Sequence, residues 1–204
     1  MHKLIILSGC SGSGKGTVVE LLSKRKDICI LKSYTTRVRR NNNSDNYHFV
    51  SRDEFMNMKN RGLFIEWNCY NGNWYATPKE ELLKMLKKTN VLLEIDTNGR
   101  QTILESGKFD NVVSIFIVPP SAEELLSRLI NRGTETKDSI RERMKEAIKE
   151  LDEIDKYDYV IINDEVQKAL DKVNSAIDQE YMADNVSFEV NRFKEEMSAL
   201  LGRI

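Results

Sequence analysis

Short β-branched runs alternate along the chain with stretches whose apolar positions recur every three or four residues. The two periods predict strands and helices in turn. Strands are expected over 3–7, 91–96, 112–118 and 159–163. The runs 91–96 and 112–118 are almost continuously apolar, as for strands buried on both faces of a parallel sheet. Ser121 with Glu124 forms a capping box ahead of Leu125, Leu126 and Leu129. Asp138 precedes a helix whose apolar stripe is Ile140, Met144, Ala147, Ile148, Leu151 and Ile154. Strand and helix alternating in this way predict the α/β class with a largely parallel sheet flanked by helices.

Residues 33–88 break the alternation. Tyr47-His48-Phe49-Val50 and the run 63–70 read as half-exposed antiparallel strands. Asn71-Gly72 is a hairpin signal returning into Trp74-Tyr75-Ala76-Thr77. Ser51 and Glu54 cap a short helix ending near Gly62, and Thr77-Pro78 with Glu80 and Glu81 starts another. A small α+β insert is therefore expected at 33–88, within a core made of 1–32 and 89–177. Beyond 178, Val186, Val190, Phe193, Met197 and Leu200 mark an amphipathic helix of near-heptad period. Its stripe suits docking on its own domain or on a sister subunit, so a homo-oligomer through this helix is one expectation.

The chain has 204 residues, with 31 Lys and Arg against 32 Asp and Glu, for a net charge of -1. That balance excludes a bulk basic protein that coats nucleic acid or an anionic membrane. No apolar run reaches the ~20 residues of a membrane span, and the run near Leu4 is short for a signal peptide. Three scattered cysteines and two histidines argue against a disulfide framework or a zinc site. They point to a reducing cytoplasm.

Local chemistry is more specific than the average. Gly9-Cys10-Ser11-Gly12-Ser13-Gly14-Lys15-Gly16-Thr17 follows an apolar strand and opens a helix, the context of a phosphate loop. Its backbone N–H groups turn inward around an anion, the helix N-terminus adds its dipole, and Lys15 follows the β- and γ-phosphates. The hydroxyl stands at Thr17, one residue later than in the strict pattern, and is the one candidate ligand for Mg²⁺. Asp96-Thr97-Asn98-Gly99 fits a GTPase switch, but no N-K-x-D accompanies it. Within the insert, Arg37, Arg39 and Arg40 precede Tyr47, Glu66, Tyr75 and Thr77 in a stretch neither helical nor balanced by acids. Guanidinium forks and phenol hydroxyls match the oxygens of a phosphomonoester.

Taken in order, these stretches resemble a guanylate kinase from about Lys3 to Ala176. The matches are the phosphate loop; Thr35-Thr36-Arg37 with Arg40; Tyr47-His48-Phe49-Val50; Phe64-Ile65-Glu66-Trp67; Gly72-Asn73-Trp74-Tyr75; Glu94-Ile95-Asp96; Phe116-Ile117-Val118-Pro119-Pro120-Ser121; Arg128 with Arg132-Gly133-Thr134; and Tyr157-Asp158-Tyr159 through Asn163-Asp164. The resemblance implies a P-loop kinase core, a GMP-binding insert and a helical lid at about 128–143. It implies ATP-dependent phosphorylation of GMP or dGMP with Mg²⁺, in purine nucleotide metabolism. Ser33, Arg37, Arg40, Tyr47 and Tyr75 would hold the GMP phosphate, and Glu66 and Thr77 would read guanine with Asp96 nearby. Gly9, Ser11, Gly12, Ser13, Gly14, Lys15, Gly16 and Thr17 would cradle ATP, with Asn163 near the adenine. Of the lid arginines 128, 132, 141 and 143, Arg132 and Arg143 would matter most, and Lys15, Arg37, Arg132 and Arg143 would carry the transfer. The chain departs from the family pattern in the 41–46 loop, at Ala76, at Asn98 and at Arg39. Two other readings are a binding module on the same scaffold and a kinase for a different phosphorylated acceptor.

Overall fold

The computed structural model describes residues 2–39, 47–70, 72–131, 136–180 and 187–202. Arg40, the 41–46 loop, Asn71, Arg132, Gly133, Thr134 and Val186 lie outside them. One sheet has five strands in the order β2 (Ile28–Ile30), β7 (Asn90–Glu94), β1 (Leu4–Gly9), β8 (Val112–Val118), β9 (Tyr159–Ile162). A second has the order β4 (Tyr47–Phe49), β3 (Ser33–Thr35), β6 (Asn73–Pro78), β5 (Phe64–Tyr70). The chain packs as two compact units, one of 1–6 with 19–113, the other of 7–18 with 114–204.

In the first unit β2 pairs parallel with β7, Cys29 opposite Val91. Leu4, Ile6, Leu31, Leu82, Val91, Leu93 and Ile103 form its core, so the apolar run at 91–93 is buried as its pattern requires. Helix α3 (Lys79–Leu86) supplies Leu82, and α4 (Thr97–Glu105) supplies Ile103. Helix α2 (Arg52–Asn60) is capped by Ser51, whose hydroxyl accepts from the Glu54 N–H at 3.2 Å. Residues 33–78 form the smaller sheet, but its pairing differs from the expected one. β5 and β6 are antiparallel, as are β3 and β6, whereas β3 and β4 run parallel. A tight turn cannot join parallel strands, so β3 and β4 do not form a hairpin.

The second unit builds its core on β8 and β9, parallel with Ile117 opposite Ile161. Helix α5 (Ala122–Ile130) begins at Ser121, whose hydroxyl accepts from the Glu124 N–H. Helix α6 (Lys137–Leu151) starts two residues earlier than expected. Thr136 is its cap and Asp138 sits inside its first turn, where a carboxylate favours the N-terminal dipole. Helix α7 (Val166–Asp178) packs on β9, and α8 (Ser187–Leu201) packs on α5 and α6. Val190, Phe193 and Met197 join Leu125, Leu129, Met144, Ala147 and Leu151 in one buried cluster. The stripe of the C-terminal helix is thus docked within its own unit.

Candidate active site

In the second unit, β1 delivers the chain into the glycine-rich turn that opens α1 (Lys15–Leu22). Gly14 has φ 89, and a Cβ there would run into the Asn163 amide. That amide donates to the Ser13 carbonyl at 2.8 Å and is 1 % exposed. Asn163, directly after β9, therefore ties that strand to the loop. Lys15 Nζ donates to the Gly9 carbonyl. Arg143 on α6 donates from Nη1 to Ser11 Oγ at 2.9 Å, and Arg128 on α5 reaches the Gly12 carbonyl at 3.4 Å while paired with Glu124. Two of the four arginines expected in a lid thus converge on the loop. Arg141 instead pairs loosely with the exposed Asp138 at 3.7 Å. Arg132 lies outside the described residues. Cys10 is fully buried and its thiol donates to the Ala147 carbonyl at 3.8 Å; burial raises it well above the usual thiol range. That removes it as a nucleophile.

The Gly16 and Thr17 side of the loop is exposed, and the Thr17 hydroxyl stands at the opening of α1. Among the described residues no group of three or more His, Cys, Asp or Glu could hold a metal. An ion here would be carried largely by phosphate oxygens and water, with Thr17 as one added oxygen.

In the first unit the smaller sheet explains why its residues belong together. Side chains at paired positions share a face, and alternate residues along a strand return to it. Ser33 pairs with Tyr47, Thr35 with Phe49 and with Tyr75, and Glu66 with Thr77. Ser33, Tyr47, Glu66, Tyr75 and Thr77 therefore occupy one face. Tyr34, Phe64, Trp74 and Ala76 pack with Phe55 of α2 on the other. The Arg37 guanidinium lies over the Tyr47 ring, 5.3 Å from its centroid, and the Tyr47 and Tyr75 rings meet edge-on at 6.0 Å. Nε and Nη2 of Arg37 are buried, with no hydrogen-bond partner among the described residues. Buried unpaired donors on a cation are costly, and an anion would satisfy them. Arg39 sits over Phe49 and is exposed, which resolves which of the two arginines faces inward. Arg40 is outside the described residues.

Glu66 is 5 % exposed, and Thr77 Oγ1 donates to its Oε1 at 2.5 Å. Burial pushes its carboxyl up to about 7; hydrogen bonding from Thr77 offsets part of this, and the charge of Asp96 adds to the rise. Asp96 caps α4, its Oδ1 accepting from the Gly99 N–H at 2.8 Å. A Cβ on Gly99 would come within 3.0 Å of Glu66 Oε2, so the first turn of α4 forms a wall of the Glu66 site. Sequence reasoning missed two members of this wall, Gly99 and Asn68. The amide of Asn68 donates to Asp96 Oδ2 at 2.8 Å.

The guanylate kinase family model matches residues 1–180. The guanylate kinase of Caldanaerobacter subterraneus subsp. tengcongensis is 45% identical over 178 residues, 85% of each chain. That of Clostridium perfringens strain SM101 is 42% identical over 198 residues, covering 95% of this chain and 88% of the relative. The crystal structure of guanylate kinase from Anaplasma phagocytophilum superposes with a TM-score of 0.72 at 31% identity, covering 93% of both chains.

Proposed function

We propose how this chain, which belongs to the guanylate kinase family and so transfers a phosphoryl group from ATP to GMP, divides the work among its residues. The observation that carries the assignment is the acceptor face of the smaller sheet. One buried carboxylate, Glu66, is tied to one hydroxyl, Thr77, on the same face as Tyr47, Tyr75 and the unsatisfied guanidinium of Arg37. Guanine presents N1–H and the 2-amino group side by side, two donors that a single carboxylate accepts. Thr77 can turn its hydroxyl toward O6. Adenine offers a lone pair at N1 and would leave Glu66 facing it. Arg37, with Ser33, Tyr47, Tyr75 and Arg40, takes the monophosphate.

On the donor side, backbone N–H groups of the 9–17 loop, the α1 dipole and Lys15 hold the triphosphate. Mg²⁺, arriving with ATP, supplies charge neutralisation at the phosphate oxygens. An oxygen of the GMP phosphate attacks the γ-phosphorus, the bond to the β–γ bridging oxygen breaks, and ADP leaves as GDP forms. The protein's part is to position the groups and to supply charge, because this transfer needs no covalent helper. Arg143, Arg128 and Arg132 supply that charge, and Arg143 is held at the loop by its bond to Ser11. Cys10, Cys29 and Cys69 are free thiols, as suits a cytoplasmic enzyme. No described helix is long and apolar enough to cross a membrane. Joining two copies through α8 would require its stripe to leave the cluster it now fills.

Arg37→Ala is expected to raise the KM for GMP and lower kcat together, about 100-fold in kcat/KM, while leaving the KM for ATP unchanged. Arg37→Lys should recover little, since a point charge lacks the fork. Unaltered kcat/KM in Arg37→Ala would remove it from the site.

The Glu66 carboxyl makes GMP binding dependent on pH. Binding needs the carboxylate, and the free site holds a proton below about 7. The KM for GMP should therefore rise about tenfold per pH unit below neutrality, with the KM for ATP following a different profile. The sign for stability is opposite. The unfolded carboxyl ionises near 4.5 and the folded one near 7, so this group's contribution to the free protein declines as pH rises between them. Steady-state kinetics across neutrality, varying GMP at saturating ATP, checks the first effect; a flat KM for GMP removes Glu66 as its cause.

A further inference from the structure

The acceptor face carries one more polar side chain, which the residues named above leave without a role. Asn68 pairs with Tyr75 across β5 and β6, and it lies two residues beyond Glu66 on the same strand. It therefore shares the face with Glu66, Tyr75 and Thr77. Both ends of its amide are used: Oδ1 accepts from the Cys69 N–H at 2.8 Å, and Nδ2 donates to Asp96 Oδ2 at 2.8 Å. The first bond fixes which end of the amide faces Asp96. On the far side, Asp96 Oδ1 accepts from Gly99 N. Its carboxylate is thus gripped from two elements, β5 and α4, and each oxygen keeps a lone pair for a further donor.

We propose that Asn68 is a positioning residue of the acceptor site, which holds Asp96 so that its carboxylate takes the N–H of the guanine 2-amino group that Glu66 leaves unpaired. The inference rests on the guanine reading of Glu66 and Thr77 and extends it to the discrimination of guanine from hypoxanthine, which lacks that amino group. Without the Asn68 donor, the carboxylate keeps only its bond to α4. Rotation about its side-chain torsions then lets it turn toward water, and the second acceptor for the amino group is lost. The effect is confined to ligands bearing the amino group. ATP, bound by the 9–17 loop and the lid arginines, does not contact Asn68 in this scheme.

The test is steady-state kinetics of Asn68→Ala, Asn68→Ser, Asp96→Asn and the double variant Asn68→Ala/Asp96→Asn, each with GMP and with IMP. Asn68→Ala is expected to lower kcat/KM for GMP about tenfold and that for IMP less than about twofold, so that the preference for GMP over IMP narrows. Its KM for ATP should equal that of the parent, which also shows that the protein is folded. Should Asn68→Ala lose ATP binding, Asn68→Ser, small and suited to a strand, carries the same comparison. The double variant should be no worse with GMP than Asp96→Asn alone, because Asn68 acts through Asp96. Equal losses for GMP and IMP, no loss with GMP, or multiplying losses in the double variant would overturn the role of Asn68. If the parent itself fails to prefer GMP to IMP, the guanine reading falls, and the inference with it.

Discussion

Lys15→Met is expected to lower kcat by about three orders of magnitude while GMP binding, measured directly by calorimetry, stays at the parental level. The side chain is the one Lys or Arg within the 9–17 loop, and it donates to the Gly9 carbonyl. Methionine keeps the stem and its packing, so the change isolates the charge. In phosphoryl transfer the negative charge is spread over oxygens, and one well-placed donor or cation is worth a factor of ~10²–10³. Arg143 and Arg128 meet the loop at Ser11 and Gly12, whereas Lys15 sits at Gly9, so their charge adds to that of Lys15 and does not replace it. A kcat within tenfold of the parent would show that the loop lysine does not carry transition-state charge here.

Glu66→Gln should collapse base selection. The substitution preserves volume in a site that is 5 % exposed, so the sheet need not repack. The amide replaces one acceptor oxygen with a donor, which opposes guanine N1–H or its amino group and pairs with adenine N1. A site built around hydrogen bonds rejects the wrong partner by ~10⁴, because its buried groups are left unpaired. The ratio of kcat/KM for GMP over AMP is therefore expected to fall by about 10³, mainly through loss with GMP. Lowering the pH of the parent enzyme should move the ratio the same way, since a protonated Glu66 also presents a donor. Discrimination unchanged in Glu66→Gln would refute the guanine-reading role.

The elements best read from the chain were those with local signals. The run Val112–Val118 forms a strand at both expected ends because all of it but Ser114 is apolar and the strand is buried almost throughout. The hydroxyls of Ser51 and Ser121 cap the helices they were expected to cap. Helix α7 carried no such mark: Glu165 at its start makes no side-chain capping bond, and Gln179, not glycine, takes the left-handed φ of 62 at its end. Strand β2 is three residues long with only Ile28 buried, too short for a period to show. The parallel pairing of β3 with β4 is a choice that residue pattern alone does not specify.

The site was legible to a similar degree. A glycine-rich loop between strand and helix announces its own chemistry, and Glu66, Tyr75 and Thr77 stand close together on paired strands. Residues whose role depends on distant partners were harder to see. Asn68 looks like any polar position of a half-exposed strand until the fold brings Asp96 beside it. Asn163 looks like a turn residue until its amide is found under Ser13. The assignment of Arg37 over Arg39 likewise needed the fold, because both sit two residues apart on an irregular segment and only the rings of Tyr47 and Phe49 separate their surroundings.

The most direct measurement is ADP release with ATP as donor and GMP, dGMP, AMP, CMP, UMP or IMP as acceptor, read through a coupled assay. GMP and dGMP should turn over with kcat/KM at least ~10³ above that of AMP, since a buried carboxylate that must accept two donors rejects a base offering a lone pair. CMP and UMP should fall below the guanine nucleotides, and IMP should lie between. Absence of turnover with GMP, or AMP turned over as well as GMP, would contradict the account.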